Sequence, residues 1–246
     1  MYLIRGQHNL ELFKSRFKDI KLSGTIGNFD GLHLGHQAIL EKIKNNSKEF
    51  NSKTIVFFTE PHASEYFASI NNLHNKIPPR ICSWREKFKL LEKKGIDFAF
   101  FLKFNNSLRT MSPENFISEI LDSINLKSFT VGDDFRFGLD RKGDTDQLRE
   151  WGKKRGILIE NTETILYEDE RVSSSRIRKA LIDNNFILAE KLLGRPYTFS
   201  GKVVHGQHLG RTIDIPTANI WLPKQKLPIQ AYMQCNVILE KKHILV

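Results

Sequence analysis

The densest chemistry in the sequence is a ten-residue run, Gly27-Asn28-Phe29-Asp30-Gly31-Leu32-His33-Leu34-Gly35-His36. His33 and His36 stand three residues apart, a spacing that lets two imidazoles face one ligand across a helical turn. Imidazoles so placed donate hydrogen bonds to phosphate oxygens and stabilise the charge that builds as an α-phosphate is attacked, with no covalent intermediate. Gly27 and Gly31 let the backbone turn tightly against a ligand. Gly35 keeps the helix start uncluttered, so that its free N–H groups and positive dipole end face an anion. A bare His-x-Gly-His also fits two unrelated histidines near a helix start, and the flanking Gly-Asn-Phe-Asp-Gly weighs against that.

Two further segments carry chemistry. Val131-Gly132-Asp133-Asp134-Phe135-Arg136-Phe137-Gly138, with Gly143-Asp144 behind it, offers apolar walls and a polar anchor, as ligand pockets do. The alternative is a strand end whose aromatic side chains cap the core. Arg171-Val172-Ser173-Ser174-Ser175-Arg176-Ile177-Arg178 puts hydroxyls before a helix start and arginines in its first turn, where both bind triphosphate oxygens. On its own this segment also reads as a plain capped helix with exposed arginines.

The elements that must position these residues alternate. Thr25-Ile26-Gly27 closes a strand, Gly35 to Lys48 reads as a helix, and Thr54 to Phe58 is an apolar run of the kind found in buried parallel strands. The order repeats: a helix from Ser83 to Lys94 ended by Gly95, a strand from Phe98 to Leu102, and a helix from Pro113 to Ile124. A strand over Ser128–Gly132, a helix from Thr145 to Arg155 closed by Gly156, and a strand at Ile157-Leu158-Ile159 follow. A helix from about Arg176 to Leu193, interrupted near Asp183-Asn184-Asn185, stops at Gly194-Arg195-Pro196. This pattern predicts an α/β domain with a mostly parallel sheet covered on both faces. From Phe199 onward the sequence alternates and carries Gly201, Gly206, Gly210, Pro216, Pro223 and Pro228, a β-rich texture. The expected organisation is a first domain over residues 1–185, a linker over 186–198 and a β segment over 199–246.

At 246 residues, with 40% hydrophobic and 27% charged residues, the chain has the composition of a soluble globular protein. No apolar run approaches the roughly 18 to 20 residues of a membrane helix. The N-terminus turns polar too early for a secretory signal, so no membrane partner and a cytoplasmic location are expected. Cys82 and Cys235 read as ordinary thiols. The net charge of +10 attracts anions, but the basic residues are scattered, so a solvated surface is favoured over nucleic-acid binding. Nothing in the sequence signals an oligomeric state.

The His-x-Gly-His run resembles the signature of the nucleotidyltransferase superfamily. Its longer form, Gly-Asn-Phe-Asp-Gly-x-His-x-Gly-His-Gln, resembles the bacterial bifunctional riboflavin kinase/FAD synthetases more narrowly. Phe58-Thr59-Glu60-Pro61-His62 is similar to that family's Phe-x-Pro-His-Pro segment, with Ala63 in place of the second proline. The Asp134 loop and the Ser-Ser-Ser-x-Ile-Arg segment are similar to its flavin-side and phosphate-side loops. The resemblance implies a Rossmann-like nucleotidyltransferase domain in which the phosphate of FMN attacks the α-phosphate of Mg-ATP, giving FAD and pyrophosphate. It implies catalytic roles for His33, His36, Asn28, Ser174 and Arg178. Gly27, Phe29, Asp30, Gly35, Ser175 and Arg176 would hold ATP, and Asp134, Phe135, Phe137, Pro61 and His62 the flavin. Magnesium would arrive on the ATP.

Lys202 to Thr212 and Ile215-Pro216-Thr217-Ala218-Asn219 resemble the opening of that family's riboflavin kinase barrel. This implies that Gly206 and Gly210 lie over nucleotide phosphates and that Thr217 and Asn219 contact a magnesium nucleotide. Asp214-Ile215 replaces the family's Gly-Phe, and Gln230-Ala231-Tyr232-Met233 its Gly-Val-Tyr-Ala. The sequence ends at Val246, whereas a six-stranded barrel needs roughly 70 residues or more, so an incomplete barrel without the family's catalytic glutamate is expected. The expectation is a working adenylyltransferase that has lost riboflavin kinase activity. Competing readings are an adenylyltransferase for another phosphorylated acceptor and a non-catalytic flavin- or nucleotide-binding remnant.

Overall fold

The continuous apolar runs become the interior of a parallel sheet. The structure, a computed structural model, describes residues 1–73, 77–204, 219–221 and 227–229. Six strands, β1 (Tyr2–Arg5), β2 (Leu22–Ile26), β3 (Lys53–Glu60), β4 (Phe98–Lys103), β5 (Leu126–Gly132) and β6 (Leu158–Thr162), form one sheet in the order β1-β4-β3-β2-β5-β6, every pair parallel. β2 lies in the middle of the sheet, paired to β3 through Thr25↔Val56 and to β5 through Thr25↔Thr130.

Side chains alternate across β3, and both faces are dry. Ile55 and Phe57 join one core cluster with Phe100, Phe129 and Trp151, while Val56 and Phe58 join another with Leu40, Ile43 and Leu91. The helices covering the sheet are α1 (Leu10–Phe17), α2 (Leu34–Glu49), α3 (Ala63–Ile70), α4 (Trp84–Lys93), α5 (Asn106–Thr110), α6 (Pro113–Phe116) and α7 (Thr145–Arg155). A hairpin of β7 (Leu166–Tyr167) and β8 (Glu170–Arg171) precedes α8 (Ser174–Ile182) and α9 (Phe186–Leu193). Ile177, Leu181, Ala189 and Leu192 of that helix pair form a third cluster with Ile81 and Val172. β9 (Lys202–Val204) and β10 (Asn219–Trp221) pair antiparallel.

One expected helix differs in detail. The helix from Pro113 is α-helical only to Phe116 and continues as a π-helical turn over Ile117–Leu121, ending short of Ile124. The Asp122 N–H donates to the Ile117 carbonyl (2.8 Å), and its carboxylate accepts from Trp151 Nε1 and Arg155 Nη2, both at 2.9 Å. That anchor turns the chain toward β5. The interruption expected near Asp183-Asn184-Asn185 is present: the helix breaks at Asn184 (φ 58°) and restarts at Asn185, whose side chain accepts from the Leu188 N–H. β1, α1, α3 and the β7–β8 hairpin were not evident from the sequence pattern.

Candidate active site

Strand order reverses at β2, whose successor β3 lies on one side and β5 on the other, so the loops after β2 and β5 flank the crevice where open parallel sheets bind ligands. The loop after β2 is Gly27 to His33. Phe29 (φ 48°) and Leu32 (φ 44°) take the left-handed conformation that costs roughly 1–2 kcal/mol per non-glycine residue. Their complete burial in the core holds them there. Between them Gly31 (φ 80°) has no room for a side chain, since a Cβ would lie 2.8 Å from Ile81 Cγ2.

Four carbonyls of this turn accept from side chains. Asn28 receives Lys87 Nζ (2.6 Å), Asp30 receives Ser174 Oγ (2.9 Å), Gly31 receives Arg195 Nη2 (2.8 Å) and Leu32 receives Gln37 Nε2 (3.0 Å). The buried Asp30 carboxylate accepts from the backbone of Ile81 and Cys82 and from Arg178 Nη2 at 2.5 Å, and Arg178 Nε reaches the Pro79 carbonyl (2.7 Å). Lys87 is buried under the loop with its ammonium 4.7 Å from the centre of the Phe58 ring, and burial lowers its pKa. Such satisfaction of buried polar groups fixes the loop's shape.

That shape delivers the histidines. His33 is the N-cap of α2, and its Nδ1 accepts the His36 N–H at 3.3 Å. Its proton therefore sits on Nε2, which is left to donate. Burial, reinforced by Arg171, Arg178 and Arg195 and opposed by Asp30, depresses its pKa to about 4, so the imidazole is neutral at pH 7. His36 stacks on His33 with ring centroids 3.7 Å apart, and burial also pulls its pKa well down. A Cβ on Gly35 would come within 3.2 Å of the His33 ring, which explains the glycine between the two histidines.

The facing loop after β5 is built differently. Phe135 and Phe137 are stacked 5.6 Å apart, but Phe137 is buried against Phe116 and over Gly143, where a Cβ would meet its ring at 2.8 Å. This ring anchors the loop to the core, and Phe135 is the half-exposed one of the pair. Asp134 is exposed and pairs with Arg171 Nη2 at 3.0 Å, which also reaches Asp133 at 3.4 Å. Arg171 thus joins the loop after β5 to the segment that leads into α8.

A sequence model described as FAD synthetase matches residues 17–176, and one described as riboflavin kinase matches residues 193–244. The bifunctional riboflavin kinase/FMN adenylyltransferase of Escherichia coli K12 is 40% identical over 239 residues, covering 97% of this chain and 74% of that protein. The protein of the same description from Haemophilus influenzae is 37% identical, covering 99% of this chain and 76% of its own. The chain belongs to the bifunctional riboflavin kinase/FMN adenylyltransferase family. In fold, a crystal structure of a macrolide-efflux protein from Streptococcus pneumoniae superposes with a TM-score of 0.74 at 27% identity, over 93% of this chain and 72% of that one. Among the described residues no helix is long and apolar enough to cross a membrane.

The remaining expected residues of this chain separate. Pro61 follows a cis peptide, and His62 caps α3, its Nδ1 accepting the Ser64 N–H (3.2 Å), with burial lowering its pKa. His62 lies with Asp30, Glu60, Arg80 and Arg178 around a cavity of about 10 Å³, room for one water. Asn28 and Ser175 are exposed. Arg176, expected to hold ATP, bonds the hairpin: Nη1 donates to the carbonyls of Tyr167 (2.7 Å) and Glu170 (3.0 Å) and Nε pairs with the Glu170 carboxylate. Asp30 and Ser174 likewise bond within and around the loop. Gly206, Gly210 and Thr217 lie outside the described residues, and Asn219 opens β10. Lys87 and Arg195 carry no motif signal and were missed, and Gln37, which ends the motif, was given no role. A charged residue inside an otherwise amphipathic helix, as Lys87 is in α4, was the available hint.

Proposed function

We propose that the chain transfers AMP from Mg-ATP to FMN, releasing pyrophosphate and forming FAD. A phosphate oxygen of FMN bonds to the α-phosphorus as the bond to the bridging oxygen breaks, and the leaving charge departs on pyrophosphate. The observation that carries this reading is the stacked, neutral His33–His36 pair at the N-terminus of α2, facing the crevice between β2 and β5. Neutral imidazoles donate without adding fixed positive charge, and the helix N-terminus supplies oriented N–H groups for the triphosphate. Arg171, with Asp134 and Phe135, would present the flavin from the other wall. Magnesium would enter as part of the ATP substrate. A cytoplasmic site of action, where ATP is supplied, goes with this reading.

The division into residues 1–185, 186–198 and 199–246 belongs to the same proposal. For the last segment the departures at Asp214-Ile215 and Gln230–Met233 support loss of riboflavin phosphorylation in these 246 residues. The test is a single assay set with Mg-ATP. FMN should yield FAD, riboflavin alone should yield neither FMN nor FAD, and His33→Asn, which preserves a cap acceptor, should lower kcat by about 10²–10³. An unchanged His33→Asn rate sinks the assignment of the site.

A further inference from the structure

The catalytic turn is completed from far along the chain. Arg195 lies past α9, inside the stretch that matches riboflavin kinase, and its Nη2 reaches the carbonyl of Gly31 at 2.8 Å. The segment carrying it is docked against the turn. Gln37 Nε2 bridges the carbonyls of Leu32 (3.0 Å) and Leu193 (2.8 Å), and Lys94 Nζ holds Gln37 Oε1 at 2.7 Å. Gly194 (φ 66°) has no space for a Cβ, which would meet Leu34 Cδ2 at 2.7 Å. Tyr197 packs on the α8–α9 cluster, and the Ser200 N–H donates to Glu86, the carboxylate that also caps α4.

A tether needs only apolar contact to stay in place. Here Arg195 Nε and Tyr197 Oη are buried without a protein partner, and the guanidinium is partly desolvated to reach the Gly31 carbonyl, with Nη1 only at 3.4 Å from the carbonyl of its near neighbour Leu193. That carbonyl belongs to the left-handed turn that precedes the His33 cap. We propose that Arg195 is a positioning residue for adenylyl transfer, so that the segment opening the kinase-like region finishes the transferase site. This inference rests on the reading of His33 and His36 as that site.

The test compares the 246-residue parent with Arg195→Met, Arg195→Lys and His33→Asn in FAD formation from FMN and Mg-ATP. Arg195→Met should lower kcat by roughly tenfold to a hundredfold, the scale set by a misplacement of about 1 Å, while KM for FMN stays put. It should also move the acid limb of the pH profile upward. The groups facing His33 are His36, stacked on it, Asp30, which favours its protonation, and Arg171, Arg178 and Arg195, which oppose it. Arg195→Lys keeps the charge, so its acid limb should stay with the parent's while kcat remains below it. Parent values of kcat and acid limb in a folded Arg195→Met overturn the inference. Should Arg195→Met fail to fold, Arg195→Lys decides, and a kcat equal to the parent's overturns the inference. A parent that makes no FAD, or an unaffected His33→Asn, instead overturns the underlying assignment.

Discussion

The two loops that flank the crevice solve opposite problems. The turn after β2 is dry and internally satisfied, with two left-handed apolar residues sunk in the core and four carbonyls taken by side chains from α2, α4, α8 and the segment after α9. The loop after β5 shares one ring, Phe137, with the core and holds its carboxylates in ion pairs that solvent reaches. Donors aimed at developing charge are effective only when held in advance, whereas a loop that admits a large planar ligand must give. On the proposed reading, the difference would give rigidity to the chemistry and adaptability to recognition.

Substitutions test that contrast most strongly in the first loop. Asp30→Ala leaves Arg178 buried without its carboxylate, and breaking such a pair costs about 3–5 kcal/mol, so chemical denaturation should register a large loss together with loss of FAD formation. A loss below 1 kcal/mol would mean that the turn is not held by its charges. Acid gives the next largest effect. His33 titrates at about 4 in the folded chain, below its ordinary value of 6.5, so the unfolded chain takes the proton first as pH falls. Stability from this group is therefore complete above pH 6.5 and is lost between about 6.5 and 4, by about 3 kcal/mol. His33→Asn should flatten that part of the melting-temperature profile, and an unchanged slope would place the acid sensitivity elsewhere. Asp134→Asn should do least, since its ion pair with Arg171 is exposed. Stability should shift by less than about 1 kcal/mol and any effect should fall on KM for FMN. A multi-kcal destabilisation there would erase the contrast between the loops.

Much of this was legible because local chemistry and global position agree. The Gly27–His36 run announces its turn, its helix start and its imidazoles together, and the buried runs of β3 and β4 read directly as parallel strands. Four-residue β1 and the two-residue strands β7 and β8 are too short for periodicity to register. Asp30 and Arg176, read in sequence as ATP-binding, and Ser174, read as catalytic, also hold protein partners that the motif does not announce. Supporting residues such as Lys87 and Arg195 leave no pattern, because what defines them is a carbonyl brought near by the fold.

The pairing of Thr25 with Thr130 has one more consequence. The two loops leave adjacent strands at matched positions, so the gap between donor and acceptor begins from a lattice constant of proteins, the strand spacing of about 4.8 Å. The sheet acts as a ruler: loops can vary in composition while, on the proposed reading, the distance across which phosphorus and attacking oxygen would meet stays referenced to one pair of adjacent strands.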